Sequence, residues 1–80
     1  MERDEILHAI TNIFIDVLDD DKIVLTEVTT AKDIEDWDSL SHIQLVVAIE
    51  KQFKIQFTSI EIQNWKNIGE IIDSIESKFQ

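Results

Sequence analysis

The chain has 80 residues, of which 44% are hydrophobic, which fits one small globular domain over residues 1–80 and excludes a disordered chain. Seventeen acidic and seven basic residues give a formal charge of −10. Nucleic acid and anionic membrane surfaces are therefore excluded as ligands, because phosphate binding needs clustered Lys and Arg.

Other exclusions follow from what the chain lacks. Without cysteine it can form neither disulfides nor thiolate metal sites, which predicts a cytoplasmic protein. No apolar run approaches the length of a membrane span, and the N-terminus lacks the layout of a signal peptide. Residues 16–38 hold nine acidic and two basic residues, a net charge of −7. We therefore expect a monomer whose protein partners present basic surfaces.

The first predicted element is an amphipathic helix over residues 3–18, which ends at the triple acid of residues 19–21. A run of acids at a helix C-terminus opposes the helix dipole and favours termination there. Its apolar residues recur at helical spacing: Ile6, Leu7, Ile10, Ile13, Phe14, Val17 and Leu18.

Residues 19–38 follow as a long connection. The β-branched stretch of residues 23–30 could be a strand, but the sequence offers no second strand to pair with it. A loop of about 20 residues usually has a functional reason. We predict a loop held to the helices by five apolar side chains: Val24, Leu25, Val28, Ile34 and Trp37.

Three further helices are predicted. One runs from Ser39 to Phe53 and is apolar around much of its circumference, and a short one over residues 59–64 opens with a capping box. The last begins at residues 67–70, with a buried stripe of Ile68, Ile71, Ile72, Ile75 and Phe79. The fold class is thus all-α: a small four-helix bundle of three longer helices and one short one, with a long loop between helices 1 and 2.

Catalytic and metal sites are not supported. Asp38, Ser39 and His42 are the residue types of nucleophilic catalysis, but the sequence offers no orienting acid for the imidazole and no oxyanion hole, so we expect His42 to be a surface residue. His8 and His42 are isolated, and the acids from Asp19 onward lack the ligands of a calcium loop. The sequence predicts neither an enzyme nor a metal protein.

Ser39 has two interpretations on local grounds. It lies between an acidic segment and an apolar helix, where unpaired backbone N–H groups would stabilise a phosphate. Serine is also among the commonest N-cap residues, so Ser39 could simply cap the helix. The residues around it leave both open.

The chain as a whole resembles the acyl carrier protein family. The matching segments are the Asp38-Ser39-Leu40 motif, the apolar run over residues 45–53 with Glu50 in it, the pair Ile55 and Phe57, and residues 68–75. The tripeptide alone is weak evidence for the family, whereas the tripeptide followed by the spaced apolar run is specific evidence. The resemblance spans nearly the whole chain.

The resemblance implies that Ser39 receives 4′-phosphopantetheine from coenzyme A through a separate phosphopantetheinyl transferase. The arm would carry an acyl group as a thioester between partner enzymes that load or transfer it, and the carrier itself would catalyse nothing. An aminoacyl, D-alanyl or peptidyl carrier is the alternative within the family. An unmodified acidic helical adaptor, with Ser39 as an ordinary cap, is the alternative from another class.

The chain departs from the family on helix 2. Fatty-acid carriers usually hold several acids there for docking, whereas this sequence has Ser41, Gln44 and Lys51 and keeps only Glu50. We therefore expect a specialised biosynthetic pathway, for example in lipid or polyketide synthesis, rather than generic fatty acid biosynthesis. Trp37 would either anchor the long loop or contact partners. The predicted partner-recognition residues are Trp37, Asp38, Leu40, Ile43 and Glu50.

Overall fold

A computed structural model describes residues 2–79, so Met1 and Gln80 of the predicted domain lie outside the described residues. The helices are α1 (Arg3–Leu18), α2 (Ser39–Phe53), α3 (Ser59–Asn64) and α4 (Ile68–Lys78), with a 3₁₀ turn at Ala31–Asp33. No strand occurs among residues 2–79, which confirms the predicted all-α class and the long loop between α1 and α2. None of these helices is long and apolar enough to cross a membrane.

The helix ends lie where the sequence places them, because the capping groups are close neighbours in the chain. Asp19 ends α1 in the left-handed conformation, with φ at 52°. Thr58 caps α3 by accepting a hydrogen bond from the Glu61 N–H, and the Glu61 carboxylate accepts one from the Thr58 N–H. Such reciprocal bonds satisfy donors that a helix start leaves unpaired.

The core lies between α1, α2 and α4. Its fully buried side chains are Phe14, Ile6, Ile10, Leu45, Ile49, Ile68, Ile71, Ile72 and Ile75. The predicted stripe of α4 is therefore correct except at Phe79, whose side chain is 52% exposed. Phe79 follows the last residue of α4, where the helical period no longer directs a side chain inward.

The long loop is held by three of the five predicted residues and by Ile23. Val24 and Val28 are each 77% exposed, so their predicted role in anchoring the loop is wrong. Leu25 is buried as predicted, and Ile23, which was not among the predicted residues, is buried as well. Burial thus alternates along this segment, with Val24 exposed between the buried Ile23 and Leu25. Ile34 and Trp37 pack against the core as predicted.

Two backbone hydrogen bonds fasten this loop to the start of α4. The Gly69 N–H donates to the Glu27 carbonyl at 2.8 Å, and the Ile68 N–H donates to the Thr29 carbonyl at 3.0 Å. A Cβ atom on Gly69 would lie 2.9 Å from the Glu27 oxygen, closer than carbon and oxygen can approach without displacement. The position therefore requires glycine, although its φ is not positive.

Arg3 joins the same loop to the two ends of the chain. Its guanidinium donates to Glu27 of the loop and to Asp73 and Glu76 of α4. The Arg3 hydrogen bond lowers the pKa of Glu27, and the three carboxylates raise the pKa of Arg3. One cation thus offsets part of the repulsion among three acids.

Candidate functional site

The first turn of α2 is capped by Asp38. Its carboxylate accepts hydrogen bonds from the N–H groups of Leu40 at 3.0 Å and Ser41 at 2.9 Å. The Ser41 hydroxyl accepts one from the Asp38 N–H and donates one to the Asp36 carbonyl, both at 2.8 Å. The hydrogen bond from the Ser41 N–H is the main cause that lowers the pKa of Asp38.

Ser39 takes no part in this cap. It is the first residue of α2, its side chain is exposed, and its hydroxyl makes no hydrogen bond among residues 2–79. The expectation that Ser39 is an ordinary cap is therefore wrong. The expectation that a phosphate would bind unpaired N–H groups here is correct only in part, because Asp38 already occupies those of Leu40 and Ser41 and leaves that of Ser39.

Ser41 differs from the sequence interpretation as well. It lies where fatty-acid carriers place an acid for docking, but its side chain is buried within the cap. Gln44 and Lys51 are exposed. Of these three positions, only Gln44 and Lys51 are accessible to a partner.

A cleft opens beside Ser39, with a volume of about 350 Å³. We call it the Ser39 cleft. It is lined by Ala31, Trp37, Asp38, Ser39, His42, Trp65, Lys66 and Asn67. The residues from the loop and from α2 belong to the segment around the motif. Those of the α3–α4 connection were missed from the sequence, although Trp65 is one of only two tryptophans in the chain.

A row of aromatic rings forms the wall between this cleft and the core. Trp37 meets Phe14 edge to face at 5.0 Å and stacks on His42 at 6.0 Å. His42 meets Trp65 at 6.1 Å, and Trp65 meets Phe57 edge to face at 4.7 Å. The edge-to-face arrangement places ring edges on ring faces, which favours a fixed geometry.

His42 belongs to this row, so its prediction as a surface residue is wrong. Its Nδ1 accepts a hydrogen bond from the Trp37 indole N–H at 3.0 Å, and burial lowers its pKa. The imidazole is therefore neutral, with its proton on Nε2. No carboxylate orients the ring and no hydrogen bond joins it to Ser39 among the described residues, so the hydrolase arrangement is absent there. Residues 2–79 also contain no cluster of potential metal ligands.

The predicted recognition residues differ in how far their side chains are exposed. Leu40 and Ile43 are 71% and 64% exposed, and Val47 at 43% extends the same stripe along α2. Asp38 is exposed, whereas Trp37 is half-buried against Phe14.

Glu50 lies apart from the other recognition residues. It is eleven residues beyond Ser39, roughly 16 Å along the helix. Its carboxylate accepts a hydrogen bond from the Phe57 N–H at 2.9 Å. The structure thus gives Glu50 a role in holding the α2–α3 connection.

Comparison with known proteins identifies this arrangement. The family model for the phosphopantetheine attachment site matches residues 8–75, which include the cap, Ser39 and every residue that lines the cleft. The chain belongs to this family. Its cofactor is accordingly a covalently attached 4′-phosphopantetheine, and the chain is a carrier rather than an enzyme.

Individual members of the family are similar over nearly their whole length. An acyl carrier protein of Thermosynechococcus vestitus is 30% identical over 79 residues, covering 98% of this chain and 96% of that protein. One from Coprothermobacter proteolyticus is 27% identical over 77 residues, covering 96% and 94%.

A solved structure gives the same result. The solution structure of a holo acyl carrier protein from Geobacter metallireducens matches with a TM-score of 0.85 and 49% identity, covering 91% of this chain and 84% of that one. The predicted resemblance to acyl carrier proteins is thus confirmed. Members of the family work with a phosphopantetheinyl transferase and with enzymes of acyl metabolism.

Proposed function

We propose that Ser39 is the residue that carries the phosphopantetheine, and that the holo protein carries an acyl group as a thioester on the terminal thiol. The observation that supports this best is the separation of tasks at the start of α2. Asp38 and Ser41 form the cap, while the Ser39 hydroxyl is exposed and has no hydrogen bond among the described residues. Such a hydroxyl can be modified without disturbing the helix.

The loading step requires a separate transferase. The Ser39 Oγ forms a bond to the β-phosphorus of coenzyme A, and the bond between that phosphorus and the bridging oxygen breaks. Adenosine 3′,5′-bisphosphate leaves with the bridging oxygen, and the serine proton passes to a base of the transferase. A phosphodiester therefore links Ser39 to the arm. The thiol at its far end supplies the thioester chemistry that this cysteine-free chain lacks.

The test is the intact mass after incubation with coenzyme A and a promiscuous phosphopantetheinyl transferase. We expect wild type to gain one phosphopantetheine and Ser39→Ala to gain none. Ser59→Ala is the matched control, because Ser59 is likewise the exposed first residue of a helix, behind the Thr58 cap. It should gain one phosphopantetheine. Failure of the folded wild type to gain mass would contradict the proposal and favour the adaptor.

We further propose that partner enzymes bind the exposed stripe of Leu40, Ile43 and Val47, with Asp38 at its end. Three large apolar side chains at helical spacing on one face form a surface that an apolar pocket can cover. A rim of basic residues on the partner would complement the charge of −10. Trp37 and Glu50 stay predicted contacts, although each also has a role within the fold.

The docking surface is tested through the kinetics of loading. We expect Leu40→Ala and Ile43→Ala each to lower kcat/KM of the transferase about 5- to 30-fold, the usual effect of truncating an interface anchor. Val24→Ala is the control, since Val24 is equally apolar and 77% exposed but lies on the loop between α1 and the 3₁₀ turn. Equal losses for Val24→Ala and Leu40→Ala would contradict a docking surface on α2.

The pathway is part of the same proposal. Gln44 and Lys51 occupy accessible positions of α2 that carry acids in fatty-acid carriers, so docking here depends less on charge along this helix. A specialised pathway, such as one that makes a lipid or a polyketide, fits this surface better than generic fatty acid synthesis. The mass of the group recovered on the carrier from producing cells identifies the cargo. An aminoacyl or peptidyl mass would contradict the acyl assignment.

A further inference from the structure

We propose that the Ser39 cleft is a binding site for the phosphopantetheine arm, with Lys66 as the ionic partner of its phosphodiester and the two tryptophans as its apolar walls. The proposal rests on Ser39 being the attachment residue. Ser39 is one of the residues that line the cleft, so the arm begins inside it.

The first argument is charge. Modification of Ser39 adds a negative phosphodiester directly after an exposed acidic segment that contains Glu35, Asp36 and Asp38. Of the first N–H groups of α2, those of Leu40 and Ser41 are held by the Asp38 carboxylate and that of His42 by the Asp38 carbonyl, so only the Ser39 N–H is left to meet this charge.

Lys66 is the cation suited to this task. It is the one lysine or arginine among the residues that line the cleft, where the other basic residue, His42, is neutral. Its ammonium group forms no ion pair among residues 2–79, whereas Arg3 and Lys78 are both engaged in ion pairs. An unengaged lysine at the rim of a cleft can pair with a phosphate that forms there.

The second argument is the rigidity of the walls. Both indole N–H groups are held: that of Trp37 by His42 Nδ1 at 3.0 Å and that of Trp65 by the Ser74 hydroxyl at 2.9 Å. The rings are therefore fixed before any ligand arrives, which lowers the entropy cost of binding. The geminal methyl groups of the pantoyl unit are the apolar part of the arm nearest the phosphate, and they suit these aromatic walls.

The third argument is the pair of hydrogen-bond donors left over. Because His42 Nδ1 accepts from Trp37, its remaining ring proton is on Nε2, which makes no hydrogen bond among the described residues. Asn67 uses its carbonyl oxygen to cap α4 by accepting from the Glu70 N–H at 3.0 Å. Its NH₂ group remains a donor. The arm offers a hydroxyl and two amide carbonyls as acceptors for such donors.

The size of the cleft suits the proximal part of the arm. A volume of about 350 Å³ is near the lower end for small-molecule sites, which span roughly 300–1,000 Å³. The proximal part of the arm can occupy this space.

The experiment is NMR spectroscopy of apo and holo protein, with loading first verified by intact mass. In holo wild type we expect nuclear Overhauser effects between the geminal methyls and the ring protons of Trp37 or Trp65. The Asn67 side-chain amide signals should also shift. Lys66→Gln should load normally but reduce the arm-to-tryptophan effects about two- to fivefold at low salt, the scale of one partly exposed ion pair.

The matched control is Lys51→Gln, which removes an exposed lysine of α2 that does not line the cleft. It should retain the wild-type effects, and about 0.5 M salt should weaken them in wild type through screening. A normal mass gain without arm-to-tryptophan effects would overturn the arm site and leave Ser39 as the attachment residue. Arm-to-tryptophan Overhauser effects of equal strength in Lys66→Gln and Lys51→Gln would overturn the role of Lys66. Absence of the mass gain would overturn both proposals.

Discussion

At the scale of single residues, adjacent positions at the start of α2 have separate tasks. Asp38 and Ser41 exchange hydrogen bonds and close the helix, and Ser39 between them presents an exposed hydroxyl. A serine that both capped the helix and carried the arm would lose its capping interaction on modification. Under the proposed attachment at Ser39, separation of the two tasks avoids this conflict.

Substitutions of Asp38 and Ser39 should therefore differ in stability. Asp38→Ala removes two hydrogen bonds to the first turn and should lower Tm by about 5 °C, the usual cost of a lost cap in a small domain. Ser39→Ala should change Tm by no more than about 1–2 °C, as expected for an exposed residue. Thermal unfolding followed by circular dichroism measures both. A larger loss for Ser39→Ala than for Asp38→Ala would refute this separation of tasks.

The effect of Asp38 should depend on pH. Its pKa is lower in the folded protein than in the unfolded chain, because the Ser41 N–H hydrogen bond favours the carboxylate. The stability that ionised Asp38 gives to the folded protein is thus present above the ordinary aspartate range near pH 4. It is lost as pH falls through the pKa of Asp38 in the folded state. The difference in Tm between wild type and Asp38→Ala should narrow below about pH 4. Asp36→Ala, at an exposed neighbour, is the control.

His42 should also make stability depend on pH, over a higher range. Burial lowers its pKa below the ordinary value of 6.5, so the unfolded chain binds the proton more readily. The stability due to neutral His42 is present above pH 6.5 and is lost as pH falls toward the folded pKa. We expect Tm of wild type to fall more than that of His42→Gln between about pH 7 and 5. His8→Gln controls for the loss of an exposed histidine, and equal slopes for wild type and His42→Gln would show that burial does not matter.

At the scale of elements, the long loop depends on α4 as much as on its own residues. The carbonyls of Glu27 and Thr29 accept hydrogen bonds from the first residues of α4, and Gly69 permits the close approach. The loop then leads through the 3₁₀ turn to the cap of α2. The position of Ser39 relative to the α3–α4 connection thus follows from this docking.

Gly69→Ala tests the packing of the loop against α4 by the sign of its effect on the free energy of unfolding. Alanine in place of a helical glycine normally stabilises by up to about 1 kcal/mol. Here its Cβ would meet the Glu27 carbonyl at 2.9 Å, so we expect destabilisation instead. The loss should be about 1–3 kcal/mol, typical of overpacking. Denaturant unfolding measures it, with exposed Ser77→Ala as the control on the same helix. Stabilisation by Gly69→Ala would contradict the tight approach.

The elements also show how far the sequence alone predicts the structure. The bounds of α2 and α3 could be predicted because their caps are formed by residues within three positions of each other. Which side chains of the loop are buried could not be predicted, because Ile23 and Val24 are equally apolar and only contacts with distant helices distinguish them. His42 was misplaced for the same reason, because Trp65 is distant in sequence.

At the scale of the whole molecule, one arginine links the first helix, the long loop and the last helix of an acidic chain. Arg3 of α1 contacts carboxylates of the loop and of α4. Apolar spacing and capping residues predicted the four helices, and the resemblance pointed to Ser39, but neither gave an indication of this cluster. The pairing of residues 3, 27, 73 and 76 depends on tertiary structure alone.

Arg3→Gln should expose this dependence. Without the guanidinium, Glu27, Asp73 and Glu76 repel one another within a protein whose charge is already −10. We expect Tm to fall by about 5–10 °C at low salt and to recover in part at about 1 M salt, where the Debye length is roughly 3 Å. Lys32→Gln removes the same charge from an exposed site and is the control. An equal loss of Tm in both variants would attribute the effect to net charge alone.

The walls of the Ser39 cleft have an optical consequence. The chain has two tryptophans and no tyrosine, and both tryptophans line the cleft. Excitation near 295 nm therefore reports on this one site, with no background from aromatic residues elsewhere in the protein. Attachment, acylation and release of cargo should each change the emission of the unlabelled carrier, so that a complete transfer cycle could be followed in real time.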